Sequence, residues 1–556
     1  MTSARSPISA YAGSEPLEMR WWGWGREDRR LPLTRAFAKL LDTRLGLDGS
    51  SREPVALAEV AVAEPALSER ARQRLEQSVG GAGWVRSDPL SRIIHSGGKS
   101  YLELVRMRAG APLGAPDAVV FPASHEQVLA VLATASAERV AVVPFGGGTS
   151  IVGGLAPTPG AQHAVISLDL ARLAGVYTVD PRSLTISVAA GTRGPALEAA
   201  LAEHHLTLGH YPDSFEFVSI GGCAATRSVG QASSGYGRID QAIQGVRIAT
   251  PIGELASAAL PASAAGPALR ELIVGSEGVL GVITGLLMRV RTRPARQRYE
   301  GVVFETFAGA AEALRTVVQD HATPDVVRLS DEIQTAILMA AGESAGRRAP
   351  LGWRGLRGRD GVLMIVGWEG QRDSLDRRRL HTMTLLRRGG GTPIGVQSGR
   401  AWAAARFAAP YVRDELLGHG VLADQFETAG TWSGLEPLRA TVTAAIMEAL
   451  NACGTPPLVG SQISHAYDTG ASLTFTVLAR ALEGQEEAQW RAAKDAASAA
   501  IVRAGATISH HHGIGRDHAA WAEAELGALG VSSLRALKAH LDPFGVMNPG
   551  KLVTEY

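Results

Sequence analysis

Cysteine is nearly absent: the 556 residues contain two, Cys223 and Cys453. Two thiols so far apart exclude a disulfide framework and fit a reducing, cytoplasmic setting. A net field is lacking too. The 55 Lys and Arg balance 54 Asp and Glu, so nothing overall draws the chain to nucleic acid or to an anionic membrane. No run of about 18 apolar residues is available to cross a bilayer. Residues 1–16 lack the apolar stretch of a signal peptide. Internal repeats and long low-complexity tracts are also missing. What remains is an ordinary globular composition, 46% hydrophobic and 20% charged, at a length that calls for more than one domain.

Against that plain background stand three consecutive histidines, His510, His511 and His512, followed at once by Gly513-Ile514-Gly515-Arg516. Adjacent imidazoles are costly to bury, because each brings a donor and an acceptor that need partners. The glycines allow a tight turn or a close approach to a ligand. Three readings stay open for the triplet alone: a proton-transfer or oxyanion site, a surface run, or a metal site.

Four regions can be told apart. Residues 1–112 mix helical patterns with an aromatic cluster, Arg20 to Gly25, whose Trp21, Trp22 and Trp24 predict docking on a larger body. Residues 113–294 alternate strands and helices. Strands are expected at Ala118–Phe121, Val140–Pro144, Ala164–Asp169, Thr185–Val188 and Leu280–Arg291, and a helix capped by Ser124 runs to Ala137. A second alternation fills 295–505, with strands near Tyr299–Phe304, Asp325–Leu329, Leu363–Trp368 and Leu473–Leu478. Its helices are expected near Phe307–His321, Arg372–Arg388 and Glu486–Ala504. Gly342 to Asp360, rich in Gly and Arg, reads as a mobile loop. Residues 506–556 carry the triplet.

Three motifs in the second region bear on a ligand. Pro144-Phe145-Gly146-Gly147-Gly148-Thr149-Ser150 leaves backbone N–H groups unobstructed and adds two hydroxyls, which is what a pyrophosphate needs. It does not have the glycine spacing of the dinucleotide fingerprint. His210-Tyr211-Pro212-Asp213-Ser214 leads to Ser219, Gly221, Gly222, Cys223 and Thr226, then Ser233 to Gly237, a run of small and hydroxyl residues suited to a flat ring and a diphosphate. Gly275-Ser276-Glu277-Gly278-Val279-Leu280-Gly281-Val282-Ile283 frames one acid with glycines. Each is weak alone; the three in this order are a strong signal.

These motifs resemble the flavoproteins of the vanillyl-alcohol oxidase type, with a PCMH-type FAD domain. The resemblance runs from about Ala115 to Leu552 and includes the ending Asn548-Pro549-Gly550-Lys551. It implies an α+β fold: a two-subdomain FAD-binding domain, an α+β cap, and a C-terminal segment returning to the flavin site. By this resemblance the three motifs bind FAD. Some members attach the flavin through His or Cys. Cys223 is the candidate for such a link here, while a buried thiol is its simpler reading, so the flavin is expected to be non-covalent.

Two branches of the family compete. Metal-binding 2-hydroxyacid dehydrogenases carry His-x-Gly-Asp-Gly-Asn-x-His and Glu-His-Gly-Ile-Gly. Here Ser472 stands for the second histidine after His465, and His511 stands for the glutamate, so no metal is expected. The alkyldihydroxyacetonephosphate synthase (alkylglycerone-phosphate synthase) branch is more similar. Trp21 to Gly25, His210 to Ser214, Arg328 to Asp331, Tyr411 to Asp414, Glu427-Thr428, Tyr467 to Ala471 and Ser509 to Gly515 all match its motifs.

That resemblance implies an exchange of an acyl group for a fatty alcohol on dihydroxyacetone phosphate, with no net oxidation. Arg328 and Arg413 would grip the phosphate. Tyr467 and the histidines His510, His511 and His512 would move protons. It also implies a lipid-like substrate, peripheral contact with a membrane, and a homodimer in the cytoplasm, with no nucleic acid partner. Singly, the same residues have structural readings: Arg328 paired with Asp331, Arg413 with Asp414 or Glu427, and Tyr467 as a buried phenol. An FAD-linked oxidoreductase acting on a 2-hydroxy acid or alcohol is the competing function.

Overall fold

The computed structural model describes residues 19–47, 49, 51–111, 114–258, 260–342 and 361–553. The first sheet has four strands in the order Val85–Arg86, Ala118–Val120, Ala164–Asp169, Val140–Phe145, the last three parallel. Its strands read as unbroken apolar runs because both faces are covered. The helix His125–Glu138 follows Ser124, whose side chain accepts from the Gln127 N–H as the sequence suggests. A second, antiparallel sheet of five strands follows, in the order Val176–Asp180, Thr185–Ala189, Val282–Arg289, Ile243–Thr250, Gly253–Ala256. One continuous apolar core joins both sheets, and Ala71, Leu75 and Val79 from the first hundred residues belong to it.

The other body is one antiparallel sheet. Its strands run Thr392–Gly395, Arg296–Phe304, Val362–Gly370, Val326–Ser330, Leu458–Ile463, Gly470–Arg480, Val421–Thr431, with Ala466–Tyr467 folded back on Gly470–Arg480. Helices Phe307–Gln319, Arg372–Arg388, Leu435–Ala452 and Glu486–Arg503 supply side chains to the core on one face. The period of two decides the other face. Val327 and Leu329 enter the helical core and leave Arg328 between them pointing away; Phe426 does the same for Glu427. The helix Glu332–Gly342 was not anticipated from the sequence, and the rest of the stretch read as a loop, 343–360, lies outside the described residues.

Several contacts bind the bodies, the Gln231 side chain donating to Arg406 O among them. The carboxylate of buried Glu369 accepts from Tyr236 Oη at 2.7 Å and Tyr299 Oη at 2.6 Å. The chain end crosses back as well: Val142 N–H donates to Val546 O, and Asn548 N–H to Val142 O, extending the first sheet by a bridge. The aromatic turn is buried too, with Trp21, Trp22 and Trp24 at 8%, 9% and 2% exposure. Trp24 N–H donates to Asp414 of the second body at 2.5 Å, which seats this turn beside Arg413.

Candidate active site

Strand Val140–Phe145 ends at Pro144 and Phe145, and the glycine loop begins where its pairing stops. Gly146 and Gly147 lie hard against the second motif. A Cβ on Gly146 would sit 2.1 Å from Ser219 Oγ, and one on Gly147 2.1 Å from Phe217 O. Arg193 holds this junction by donating to Gly146 O and Phe217 O at 3.0 and 2.6 Å. The N–H groups of Gly147, Gly148, Thr149 and Ser150 have no acceptor among the described residues. Unclaimed donors on a backbone without obstructing side chains fit the pyrophosphate of FAD.

The second and third motifs close round the loop. Ser219 caps the turn that holds Gly221 and Gly222, and the Thr226 hydroxyl donates to Gly222 O. Pro212, Asp213 and Ser214 form the turn before it, where Gln231 donates to Asp213 at 2.6 Å. Gly278 sits under the Pro144 ring at a φ of 77°, a conformation other residues resist. Gly281 lies close against Ala249 O, and Val282 and Ile283 turn their side chains into the core. Glu277 points elsewhere: its carboxylate accepts from the N–H groups of Ile514 and Gly515 at 2.7 and 2.8 Å, so it ties the FAD-binding body to the turn after the histidines. Burial pushes this carboxyl up to about 7, against the pull of those two N–H groups. Cys223 is buried, and burial pushes its thiol up to about 12, far from a reactive thiolate.

The histidine triplet meets the cap strands over this cradle. Tyr467 Oη lies 2.6 Å from His510 Nε2, and His510 Nδ1 lies 3.1 Å from His511 Nδ1. His511 Nδ1 is in close contact with Glu427 Oε2. Glu427 Oε1 accepts from the backbone N–H groups of His511 and His512 at 2.7 and 2.6 Å. Glu427 is fully buried from strand Val421–Thr431. Burial works against its charge, but the facing imidazoles of His511 and His512 outweigh that, and the carboxyl is held well below its usual range. Burial pushes His510 and His512 down to about 3, leaving both neutral. Burial also raises the Tyr467 phenol, while the adjacent Arg238 guanidinium pulls it back down.

Ligand atoms of Glu427, His511 and His512 fall within 4.8 Å of one another, which is metal-site spacing. Oε1 of the carboxylate is already engaged by two backbone donors, while Oε2, in close contact with His511 Nδ1, has no hydrogen-bond partner among the described residues. His465 is taken by Gly230 O and Ser464 Oγ, and Ser472 Oγ accepts from the His465 N–H.

The two arginines stand on different neighbours. Arg328 lies 3.8 Å from Asp213 and keeps a buried Nε with no partner. Asp331, its candidate partner from sequence, instead accepts from Ser461 and Gln334. Arg413 donates to Lys99 O at 2.7 Å and leaves Nε and Nη2 buried and unpaired. No contact joins the arginines to each other among the described residues. Buried guanidinium donors without acceptors are rare, and both are suited to an anionic ligand. Glu427 and Arg238 are the residues that sequence reasoning missed as parts of the cluster. Glu427 was read within the Glu427-Thr428 motif and as a possible partner for Arg413, and its place on the strand face opposite Phe426 is what turns it to the histidines.

A parallel-sheet and antiparallel-sheet pair with a donor-rich glycine loop, roofed by an antiparallel cap, defines an FAD-linked flavoprotein of the PCMH class. A family model described as FAD binding domain matches residues 116–259, and one described as FAD linked oxidases, C-terminal domain, matches 293–552. The alkyldihydroxyacetonephosphate synthase of Dictyostelium discoideum is 33% identical, covering 84% of this chain and 78% of its own length. A solved alkyldihydroxyacetonephosphate synthase superposes with a TM-score of 0.83 at 29% identity, over 96% of this chain and 99% of that one. p-Cresol methylhydroxylase, at 15% identity and a TM-score of 0.67 over 89% of this chain and 99% of its own, shares the fold. The chain belongs to the alkyldihydroxyacetonephosphate synthase family, and its cofactor is FAD.

Proposed function

We propose that this chain exchanges the acyl group of acyl-dihydroxyacetone phosphate for a fatty alcohol, an ether-forming transfer with no net redox. The observation that carries the reading is the linked set Tyr467, His510, His511 and Glu427; two buried arginines that keep unpaired N–H groups, Arg328 and Arg413, support it. When bound, the flavin supplies the covalent chemistry of the exchange. The protein's part is proton traffic and position. The incoming alcohol gives up one proton and the departing carboxylate takes one, so a single group that gives and receives is restored each cycle. Tyr467 holds that place, with its oxygen beside the His510 ring and the Arg238 guanidinium. Arg328 and Arg413 hold the phosphate with permanently charged forks. The broken metal motif at Ser472 and His511 disfavours a metal-assisted hydroxyacid oxidation.

The proposal extends to a non-covalent flavin, supported by the buried, protonated thiol of Cys223. It also extends to a cytoplasmic homodimer that meets lipid at a membrane surface. Among the described residues no helix is long and apolar enough to cross a membrane, so that contact is peripheral in this reading. The test is an anaerobic mixture of the yellow protein with palmitoyl-dihydroxyacetone phosphate and hexadecanol. Ether product without an added electron acceptor is expected. No ether product, with lasting flavin reduction by a 2-hydroxy acid, would overturn the reading in favour of an oxidoreductase.

A further inference from the structure

Lys99 is buried, at 5% exposure, in a stretch that none of the sequence motifs marks. Its backbone is fixed to the glycine loop. Lys99 N–H donates to Ser150 O at 2.6 Å, and a Cβ on the preceding Gly98 would sit 2.2 Å from that same oxygen. Its carbonyl takes Arg413 Nη1 at 2.7 Å, which lays a guanidinium from the cap helix Ala409–Gly418 beside it. An ammonium has three N–H donors, and this one has a single acceptor, Arg20 O at 3.4 Å. Arg413 keeps Nε and Nη2 buried and unpaired. Neither side chain forms an ion pair among the described residues.

Buried charges are paired with opposite charge or bind a ligand that brings it. Negative charge is short here. Arg20, Lys99 and Arg413 share two carboxylates, Asp414 and Glu103. Asp414 Oδ2 already takes the Trp24 N–H at 2.5 Å and lies 3.8 Å from Arg20, and Glu103 Oε2 takes the Ser100 N–H at 3.0 Å. Burial pushes the Lys99 ammonium down to about 8; Asp414 pulls it back up, while the Arg413 charge acts in the same direction as burial. A bound anion would relieve that repulsion and fill the open donors. Arg328 differs, because Asp213 stands 3.8 Å from it.

We propose that Lys99 is a phosphate-binding residue, forming with Arg413 the subsite that takes the phosphate dianion of the substrate. That the phosphate is the substrate's rests on the transferase reading; that the two cations form an anion site rests on their surroundings alone. The cap supplies one cation and the first hundred residues the other, so the subsite is complete only where the two meet. The pyrophosphate of FAD is the other candidate occupant, since Lys99 touches Ser150, but the glycine loop offers it unclaimed N–H groups of its own. The aromatic turn gains a role as well: Arg20 O holds the Lys99 ammonium, and Trp24 N–H holds Asp414, the neighbour of Arg413.

Lys99→Met tests this, because it nearly keeps the length of the side chain and removes its charge. Inorganic phosphate is titrated by calorimetry into the full, FAD-loaded chain at constant ionic strength. The wild type should bind it, and Lys99→Met should bind it about 10- to 100-fold more weakly, as expected for one charged hydrogen bond. FAD affinity, read from flavin fluorescence, should stay within about twofold. Lys99→Gln, which keeps an N–H donor for Arg20 O, is measured in parallel and should show the same loss if Lys99→Met fails to fold. No phosphate binding by the wild type overturns the proposal, as does equal binding by wild type and variant. A variant that loosens FAD and keeps its phosphate affinity overturns it too, since the ammonium would then serve the pyrophosphate.

The titrations need no turnover, so they stand whether or not the transferase reading holds. Where that reading holds, Lys99→Met should raise KM for palmitoyl-dihydroxyacetone phosphate by the same factor and leave KM for hexadecanol within about twofold. Ether product formed with both KM values unchanged would sink the subsite and spare the function.

Discussion

The glycine loop can be tested at one atom. In Gly147→Ala the new methyl would lie 2.1 Å from Phe217 O and 2.9 Å from Arg193 Nη1. Neither neighbour is free to yield: Arg193 Nη1 holds Phe217 O at 2.6 Å and Gly146 O at 3.0 Å. The loop must therefore back away from the wall formed by the second motif by about 1 Å, given ordinary carbon–oxygen contacts above 3 Å. Overpacking of this kind costs about 1–3 kcal/mol. If the loop holds the pyrophosphate, that displacement falls on the N–H groups of Gly147 to Ser150, and FAD should bind roughly five- to a hundredfold more weakly, at about 1.4 kcal/mol per decade. The assay is titration of the apo-protein with FAD, followed by quenching of flavin fluorescence. Gly83→Ala is the control, since a Cβ there meets nothing within 4 Å. A Gly147→Ala protein with wild-type thermal stability and an FAD Kd within twofold of normal would refute the placement of the pyrophosphate on this loop.

Three further outcomes are expected. Arg328→Lys should raise KM for the phosphate substrate by roughly 10- to 100-fold with FAD binding unchanged, because a lysine cannot supply the fork and a lost charged hydrogen bond is worth about 1.5–3 kcal/mol; steady-state kinetics checks it. Glu277 has a folded pKa raised by burial from 4.5 to about 7, so the native chain binds more protons than the unfolded one in that window and stability should fall as pH rises through it, by roughly 3 kcal/mol. Thermal melts from pH 4.5 to 7 should show this slope in the wild type and its loss in Glu277→Gln. Acid precipitation should release all the flavin into the supernatant, in Cys223→Ser and wild type alike; yellow colour retained only by the wild-type pellet would mean a thioether link.

Much of the frame was legible from local pattern. The strand at Ala164–Asp169 has the bounds read from its apolar run, and the helix at Arg372–Arg388 those read from its charged periodicity. Those elements are set by contacts within a few residues, which sequence displays directly. Helix Glu332–Gly342 escaped because Asp331 looked like a partner for Arg328 when it in fact serves the Gln334 N–H at the start of that helix. Glu277 was read as one more cofactor contact. Its carboxylate turned out to hold the turn at Ile514 and Gly515, more than two hundred residues away, which no local signal announces.

By itself the sequence determined the class of ligand and the supply of reactive groups. A glycine loop after an apolar strand, an arginine in an alternating strand and three histidines beside glycines are local facts, and local sterics and periodicity carry them. Only the tertiary structure decided who faces whom. Strand Val421–Thr431 presents Glu427 to a turn 84 residues later, and Tyr467 reaches His510 across 43 residues. Such pairings depend on sheet register and on the packing of one body against the other. A buried charge takes whichever partner the fold brings within hydrogen-bond reach, because leaving it unpaired costs more than any local preference is worth.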